Sequence, residues 1–148
     1  MGIKSPASAI GEHVLRFEDD RLLRGNGRYV DDFSLPGLAF GAVCRSPHAH
    51  AKIRSLNVQA AQQAPGVLAV LTAKDLKNAG FGELPVPTGL NRRDGEPQYV
   101  PQSPILADDR VRWVGDCVAF VVAETVEQAL DAVELINADY EPLAAVTS

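Results

Sequence analysis

The stretch that decides the fold is Val111-Arg-Trp-Val-Gly-Asp-Cys-Val-Ala-Phe-Val-Val-Ala-Glu-Thr-Val-Glu-Gln-Ala-Leu-Asp-Ala-Val-Glu-Leu-Ile-Asn-Ala-Asp-Tyr-Glu-Pro142. Gly115-Asp116 is a turn signal, and Cys117 to Ala123 is an apolar run rich in β-branched residues. A run that short, with a turn before it and a helix start after it, reads as a strand buried on both faces. Thr125 and Gln128 form a capping box, in which the hydroxyl and the amide each satisfy an orphan backbone N–H. Val126, Ala129, Leu130, Val133 and Ile136 then recur at helical spacing and predict one apolar face over Val126–Ile136. Ala138-Asp-Tyr140 returns extended and Pro142 ends it. The rest of the domain is expected to pack on this strand–helix–strand unit. If the Phe120 ring is buried there, truncating it to alanine costs about 3–5 kcal/mol.

Upstream, residues 1–12 are small and polar and read as a flexible lead-in to a single domain over 13–148. Gly25 and Gly27 mark a turn, Tyr29–Asp32 reads as a short extended piece, and Leu35-Pro-Gly37 closes it. Leu38–Arg45 reads as a strand broken by Ser46-Pro47, and His48–Leu56 as the next, a hairpin-like pair. Asn57 is placed to cap a short helix over Val58–Ala64, which Pro65-Gly66 stops. Val67–Leu71 is another buried strand, and Thr72 caps a helical turn through Leu76. Residues 78–104 hold five prolines and four glycines with no surviving period, a loop long enough to be functional or ordered by a partner. Two βαβ-like units emerge, but the first helix is too short for a doubly wound sheet. The predicted class is α+β, with mixed β-sheet strands and two main helices.

The chain of 148 residues suffices for one core, and 46% apolar with 22% charged residues fits a globular protein. A net charge of −5 argues against nucleic acid as a partner, because phosphate binding needs a basic field. No run is long enough to span a bilayer and no apolar leader precedes residue 20, so the cytoplasm is the expected compartment, with partner-carried export to the periplasm the other route. Cys44 and Cys117 each fall inside a predicted strand and read as free buried thiols.

No complete active site is visible. His48 and His50 sit two apart on a predicted strand and face one side, which begins a zinc or copper site, but such a site needs three or four ligands and the remaining histidine is His13. They read instead as a structural strand end or a surface for a partner. Asp19-Asp20, Asp31-Asp32 and Asp108-Asp109 are neighbours whose carboxylates diverge on a strand, so they serve as turn caps and ion-pair partners for Arg16, Arg21, Arg28 and Arg110 rather than as an acid/base dyad. Gly25-Asn-Gly27 lacks the third glycine of a dinucleotide fingerprint. Cys117 lies in an apolar run without an adjacent base. A chain with a good core and no catalytic constellation reads as a module or a subunit.

Four ordered blocks carry a resemblance. They are Arg16-Phe-Glu-Asp-Asp-Arg-Leu-Leu-Arg-Gly-Asn-Gly-Arg-Tyr-Val-Asp-Asp32; Leu35-Pro-Gly37 with Arg45-Ser-Pro-His-Ala-His-Ala-Lys-Ile53; Pro65-Gly-Val67 through Asp75-Leu76; and Leu106-Ala-Asp-Asp-Arg-Val-Arg-Trp-Val-Gly115 running on through Val118-Ala119 to Ala138-Asp-Tyr-Glu-Pro-Leu143. The chain resembles the N-terminal α/β-hammerhead domain of the large, molybdopterin-binding subunit of the xanthine dehydrogenase, aldehyde oxidase and carbon monoxide dehydrogenase family. The resemblance implies a parent complex that hydroxylates carbon centres or oxidises carbon monoxide. Its cofactors would be a molybdenum centre on molybdopterin cytosine dinucleotide, [2Fe–2S] clusters and FAD. It also implies that the family's cofactor-binding loops and catalytic glutamate lie downstream of Ser148, so this chain alone binds no cofactor or metal and carries no catalytic residue. The expected partners are the molybdopterin-binding chain or domains, the iron–sulfur subunit and the FAD subunit. Arg45, His48, His50, Arg92 and Arg93 are the candidate interface residues. One local difference stands out: Gly115-Asp116-Cys117 replaces the family's frequent Gly-Glu-Pro, keeping the charge and losing the proline, which predicts a looser turn. The role so implied is structural and assembly-related; the alternative is a stand-alone small-molecule or protein-binding module on the same fold.

Overall fold

The computed structural model describes residues 16–85, 90–101 and 103–145, which divide into two compact units, the first ending at Gly37 and the second beginning at Leu38. The lead-in expected over residues 1–12 lies outside the described residues. In the first unit, α1 (Asp19–Leu23) carries Asp19 and Asp20 in its first turn, where the helix dipole favours negative charge. Tyr29–Asp32 is not extended. The Asp32 carboxylate accepts the Tyr29 N–H at 2.7 Å and draws Val30–Asp32 into a 3-10 turn.

The second unit holds β1 (Phe40–Arg45), β2 (Ala51–Asn57), α2 (Gln59–Gln62), β3 (Val67–Thr72), α3 (Ala73–Asn78), β4 (Arg110–Val111), β5 (Cys117–Ala123), α4 (Val126–Glu134) and β6 (Asn137–Pro142). The strands build two three-stranded sheets, β1-β5-β3 (sheet I) and β4-β2-β6 (sheet II), with every described pairing antiparallel. The α+β class therefore holds, with β5 as the centre of sheet I, but the expected mixed sheet does not, because the described strands pair only antiparallel. The βαβ readings do not hold, because each helix carries the chain from one sheet to the other. After β2, four helical residues are too few for a parallel crossover, which takes a dozen or more. After β5, both neighbouring positions are already filled by β1 and β3, so β6 leaves to pair with β2. The expected hairpin of β1 with β2 is absent for a related reason. Ser46 is buried and its hydroxyl accepts the His48 N–H at 3.0 Å, turning a corner between sheets.

The caps at Thr125 and Thr72 fall where the sequence puts them, whereas α2 is shorter than expected and its N-cap position is Val58, one residue after Asn57. Thr125 accepts from Gln128 N at 3.2 Å while Gln128 Oε1 accepts from Thr125 N at 3.1 Å. Asp75 closes the matching box on Thr72, and the Asn57 side chain accepts from Gln59 N at 3.0 Å. The apolar face of α4 is rotated from the expected one. Ala129 and Ala132 are buried against sheet I, with Val133 and Ile136 at their side, whereas Val126 and Leu130 are exposed. Small side chains let the helix approach the sheet closely, and Leu130 is turned outward by the same geometry.

A register shift between Cys44 and Arg45 leaves Val118 without a partner on β1. Val118 and Ala119 are both buried in consequence, and Val118 reaches Ala51, Val111 and the half-buried Tyr140 in the cluster that joins the sheets. Val121 lies in the second cluster, with Ala61, Val70 and Ala132. Phe120 points to the other face and is only half-buried. Its ring covers Gly41 on β1, where a Cβ would collide with it. Among the described residues nine of the fourteen buried apolar ones are alanine, and the largest fully buried side chains are the valines 111, 118 and 121. Many big apolar side chains of this unit, among them Phe81, Leu84, Leu90, Tyr99, Trp113 and Leu130, are exposed, while Leu106 is buried and Ile53, Leu56 and Tyr140 pack half-buried against the core.

Candidate functional site

The polar groups converge at the corner between β1 and the turn before β5. Gly115 takes a φ of +87°, which a residue without Cβ adopts freely. Its N–H donates to Ser46 O at 2.8 Å, and Ser46 N–H donates to Asp116 O at 2.9 Å. Arg45 Nη1 donates to Gly115 O at 2.9 Å and lies 3.5 Å from Cys117 Sγ. Asp116 is buried, and its carboxylate accepts the Arg112 N–H at 2.9 Å. These contacts hold the turn, together with the Asp116 N–H, which donates to Trp113 O at 3.2 Å.

Around the corner, His48 meets the Tyr140 ring at 5.1 Å between centroids, tilted by 58°. Burial pushes the Tyr140 phenol up, Cys44 and Asp116 add to the shift, and a hydrogen bond with Ser46 opposes it. Burial also pushes the Cys44 thiol up, and both cysteines are free and half-buried. His48 and His50 precede β2 instead of lying on it, so they do not share a strand face. His50 Nδ1 lies 2.8 Å from Ala144 O, and Leu143 N–H donates to His50 O at 2.9 Å, so this histidine pins the end of the chain after β6.

Arg45 and His48 thus meet the same corner, whereas Arg92 and Arg93 sit in a separate tight turn. There Asn91 bridges to Pro97, Arg92 N–H donates to Glu96 O at 2.7 Å, and Arg92 Nη2 is 3.1 Å from Asp94. The acidic pairs act as caps and ion-pair partners. Asp19 and Asp20 pair with Arg16 and Arg24, and Asp109 with Arg110 and Arg112. Burial opposes ionisation of Asp109, but the Arg110 hydrogen bond and the charges of Arg110 and Arg112 outweigh it and hold the carboxyl below its usual range.

Two cavities adjoin, and the smaller of them lies on the far side of sheet I from α4. One, about 460 Å³, has Lys77 and Asp108 on its rim, 2.6 Å apart. Asp108 draws the Lys77 ammonium up from its ordinary value. The other, about 250 Å³, is almost wholly apolar and is floored by Val43, Leu71 and Phe120. Leu76, Ile105 and Leu106 line both. The sequence reading missed this face, because a strand of half-covered apolar residues looks the same in sequence as one covered twice. The available signal was Gly41 beside Val43, a gap that only a large cross-strand neighbour fills.

Chemically, these arrangements bind and brace. Among the described residues no three His, Cys, Asp or Glu side chains are grouped to hold a metal, and no buried side-chain polar atom is left without a partner. Among the described residues no helix is long and apolar enough to cross a membrane.

Residues 24–144 match the family described as aldehyde oxidase and xanthine dehydrogenase, a/b hammerhead domain. The carbon monoxide dehydrogenase large chain of Afipia carboxidovorans is 44% identical over 128 residues, which are 86% of this chain and 14% of that one. A probable xanthine dehydrogenase subunit of Bacillus subtilis is 42% identical over 124 residues, 84% of this chain and 15% of its own. The crystal structure of the Cu,Mo-CO dehydrogenase in its carbon monoxide reduced state superposes with a TM-score of 0.76 at 42% identity, over 91% of this chain and 16% of that chain. This chain thus spans 14% to 16% of the length of these relatives.

Proposed function

The chain belongs to the aldehyde oxidase and xanthine dehydrogenase a/b hammerhead family, and from that premise we propose that it is the structural and assembly portion of a molybdenum hydroxylase large chain. The observation that carries this reading is the inverted size distribution of its apolar residues. Among the described residues alanine and valine fill the core except for Leu106, while Phe81, Leu84, Tyr99 and Trp113 are exposed. An isolated domain gains stability by covering its largest apolar groups, and broad apolar exposure marks a surface that a partner covers.

In this reading the holoenzyme carries a molybdenum centre on molybdopterin cytosine dinucleotide, with [2Fe–2S] clusters and FAD, and this chain holds none of them. A [2Fe–2S] cluster takes four thiolates, or two thiolates and two histidines, and among the described residues no three His, Cys, Asp or Glu side chains are grouped. The partners are the molybdopterin-binding polypeptide, the iron–sulfur subunit and the FAD-carrying subunit. Arg45, His48, His50, Arg92 and Arg93 supply polar contacts to them, and residues 13–148 act as one domain.

The test is a tagged purification from the native host, with partners identified by mass spectrometry and molybdenum and iron measured on the eluate. The expected result is a molybdopterin-binding polypeptide and molybdenum at a fixed ratio to the chain. A chain that elutes alone and without metal would instead mark a stand-alone module.

A further inference from the structure

The face of sheet I that α4 leaves bare has the makings of a contact surface. Val43, Phe120 and Leu71 stand in register across β1, β5 and β3, so their side chains form one row. Each is only half-buried, and the row opens into the apolar cavity of about 250 Å³. Leu76 and the exposed Ile105 wall it on one side. At the other end, Arg45 touches Cys117, which lines the same cavity. Arg45 is exposed, and among the described residues it has no carboxylate partner, while Arg54, Arg92, Arg110 and Arg112 each have one.

We propose that this groove receives a segment of the molybdopterin-binding polypeptide, one that inserts apolar side chains over Val43, Phe120 and Leu71 and sets a carboxylate against Arg45. The proposal rests on the reading above and names the surface through which that assembly is made. The occupant follows from two observations. The relatives are about six to seven times longer than the matched region, so most of such a protein lies outside this domain. The groove has an apolar floor and, at its rim, a cation without a carboxylate partner among the described residues, which together select an apolar segment carrying negative charge.

The experiment uses the tagged chain in its native host, with Ile105→Asp, Arg45→Glu and, on the opposite side of the domain, Leu130→Asp. Far-UV circular dichroism and the melting midpoint confirm that each variant folds. Both substituted positions in the groove are exposed, so folding is expected to survive. The expected result is a loss of about tenfold or more in co-purified molybdopterin-binding polypeptide for Ile105→Asp and Arg45→Glu, as for charge placed at a central contact. Leu130→Asp is expected to recover as much as the wild type. Wild-type recovery by both groove variants overturns the proposal while leaving the assembly role intact. A wild-type chain that recovers no such polypeptide overturns both.

Discussion

Replacing Val121 and Phe120 by alanine, one at a time, shows which face of β5 is the core. Val121 is fully buried among Ala61, Val70 and Ala132. Removing its two methyl carbons loses about 0.8 kcal/mol of transfer energy for each, and the partly collapsed cavity raises the total to about 2–3 kcal/mol. Phe120 is the larger side chain, and if fully buried its truncation would cost about 3–5 kcal/mol. Its ring is half-buried and covers Gly41, so roughly half of that, about 2 kcal/mol, is expected in the free chain. The smaller truncation should therefore cost at least as much as the larger. Urea unfolding followed by circular dichroism reads both values, provided the slopes match the wild type. A Phe120→Ala cost above about 4 kcal/mol together with a Val121→Ala cost below about 1 kcal/mol would refute the assignment of the two faces.

Gly66 holds a φ of +74°, and a Cβ there would strike the Gln128 side chain that caps α4. Gly66→Ala should lower stability by about 1–2 kcal/mol from the backbone alone; an unmoved urea midpoint would count against this turn. Because burial raises the Cys44 thiol, Cys44 should react with iodoacetamide at pH 8 well below the rate of an open thiol and reach that rate only in denaturant, which mass-resolved labelling reads directly. Asp75 ionises below its usual range because the Thr72 hydroxyl and N–H donate to it. The unfolded carboxyl titrates near about 3.9, so the capping contribution is complete above that pH and is lost as pH falls through the lower folded value. An NMR titration of the Asp75 carboxyl showing a midpoint at or above the unfolded one would reverse the sign.

What could be read in the sequence were features fixed by near neighbours. Thr125 with Gln128 and Thr72 with Asp75 cap helices through contacts three residues apart, and Cys117–Ala123 is a strand because no other element suits so short an apolar run. Strand pairing was not legible, because the two-residue period tells which side chains share a face and not which strand supplies the hydrogen bonds. Hence β1 and β2 looked like a hairpin although each pairs with strands far along the chain, Arg45 with Cys117 72 residues on, and Ala51 with Val111 and Pro142. The face of α4 was misjudged for a different reason. Hydrophobicity favours Leu130 as the inward residue, but close approach to sheet I favours Ala129 and Ala132. Of the candidate surface, Arg45 is legible as a cation at a strand end, just before the Ser46-Pro47 break. The groove beside it depends on which face α4 covers, and the sequence contains no statement of that.

The exchange of strands between the sheets also governs how the domain comes into being. As the chain leaves the ribosome, β1, β2 and β3 emerge first, and none of them pairs with another. Sheet I must wait for β5 and sheet II for β4 and β6, so neither half can close on its own. Contacts this distant in sequence make closure slow and concerted. Until Cys117–Ala123 is synthesised, the apolar stretch Val67–Leu71 has no native strand beside it, and nascent chains stalled before that point should be the ones that chaperones hold.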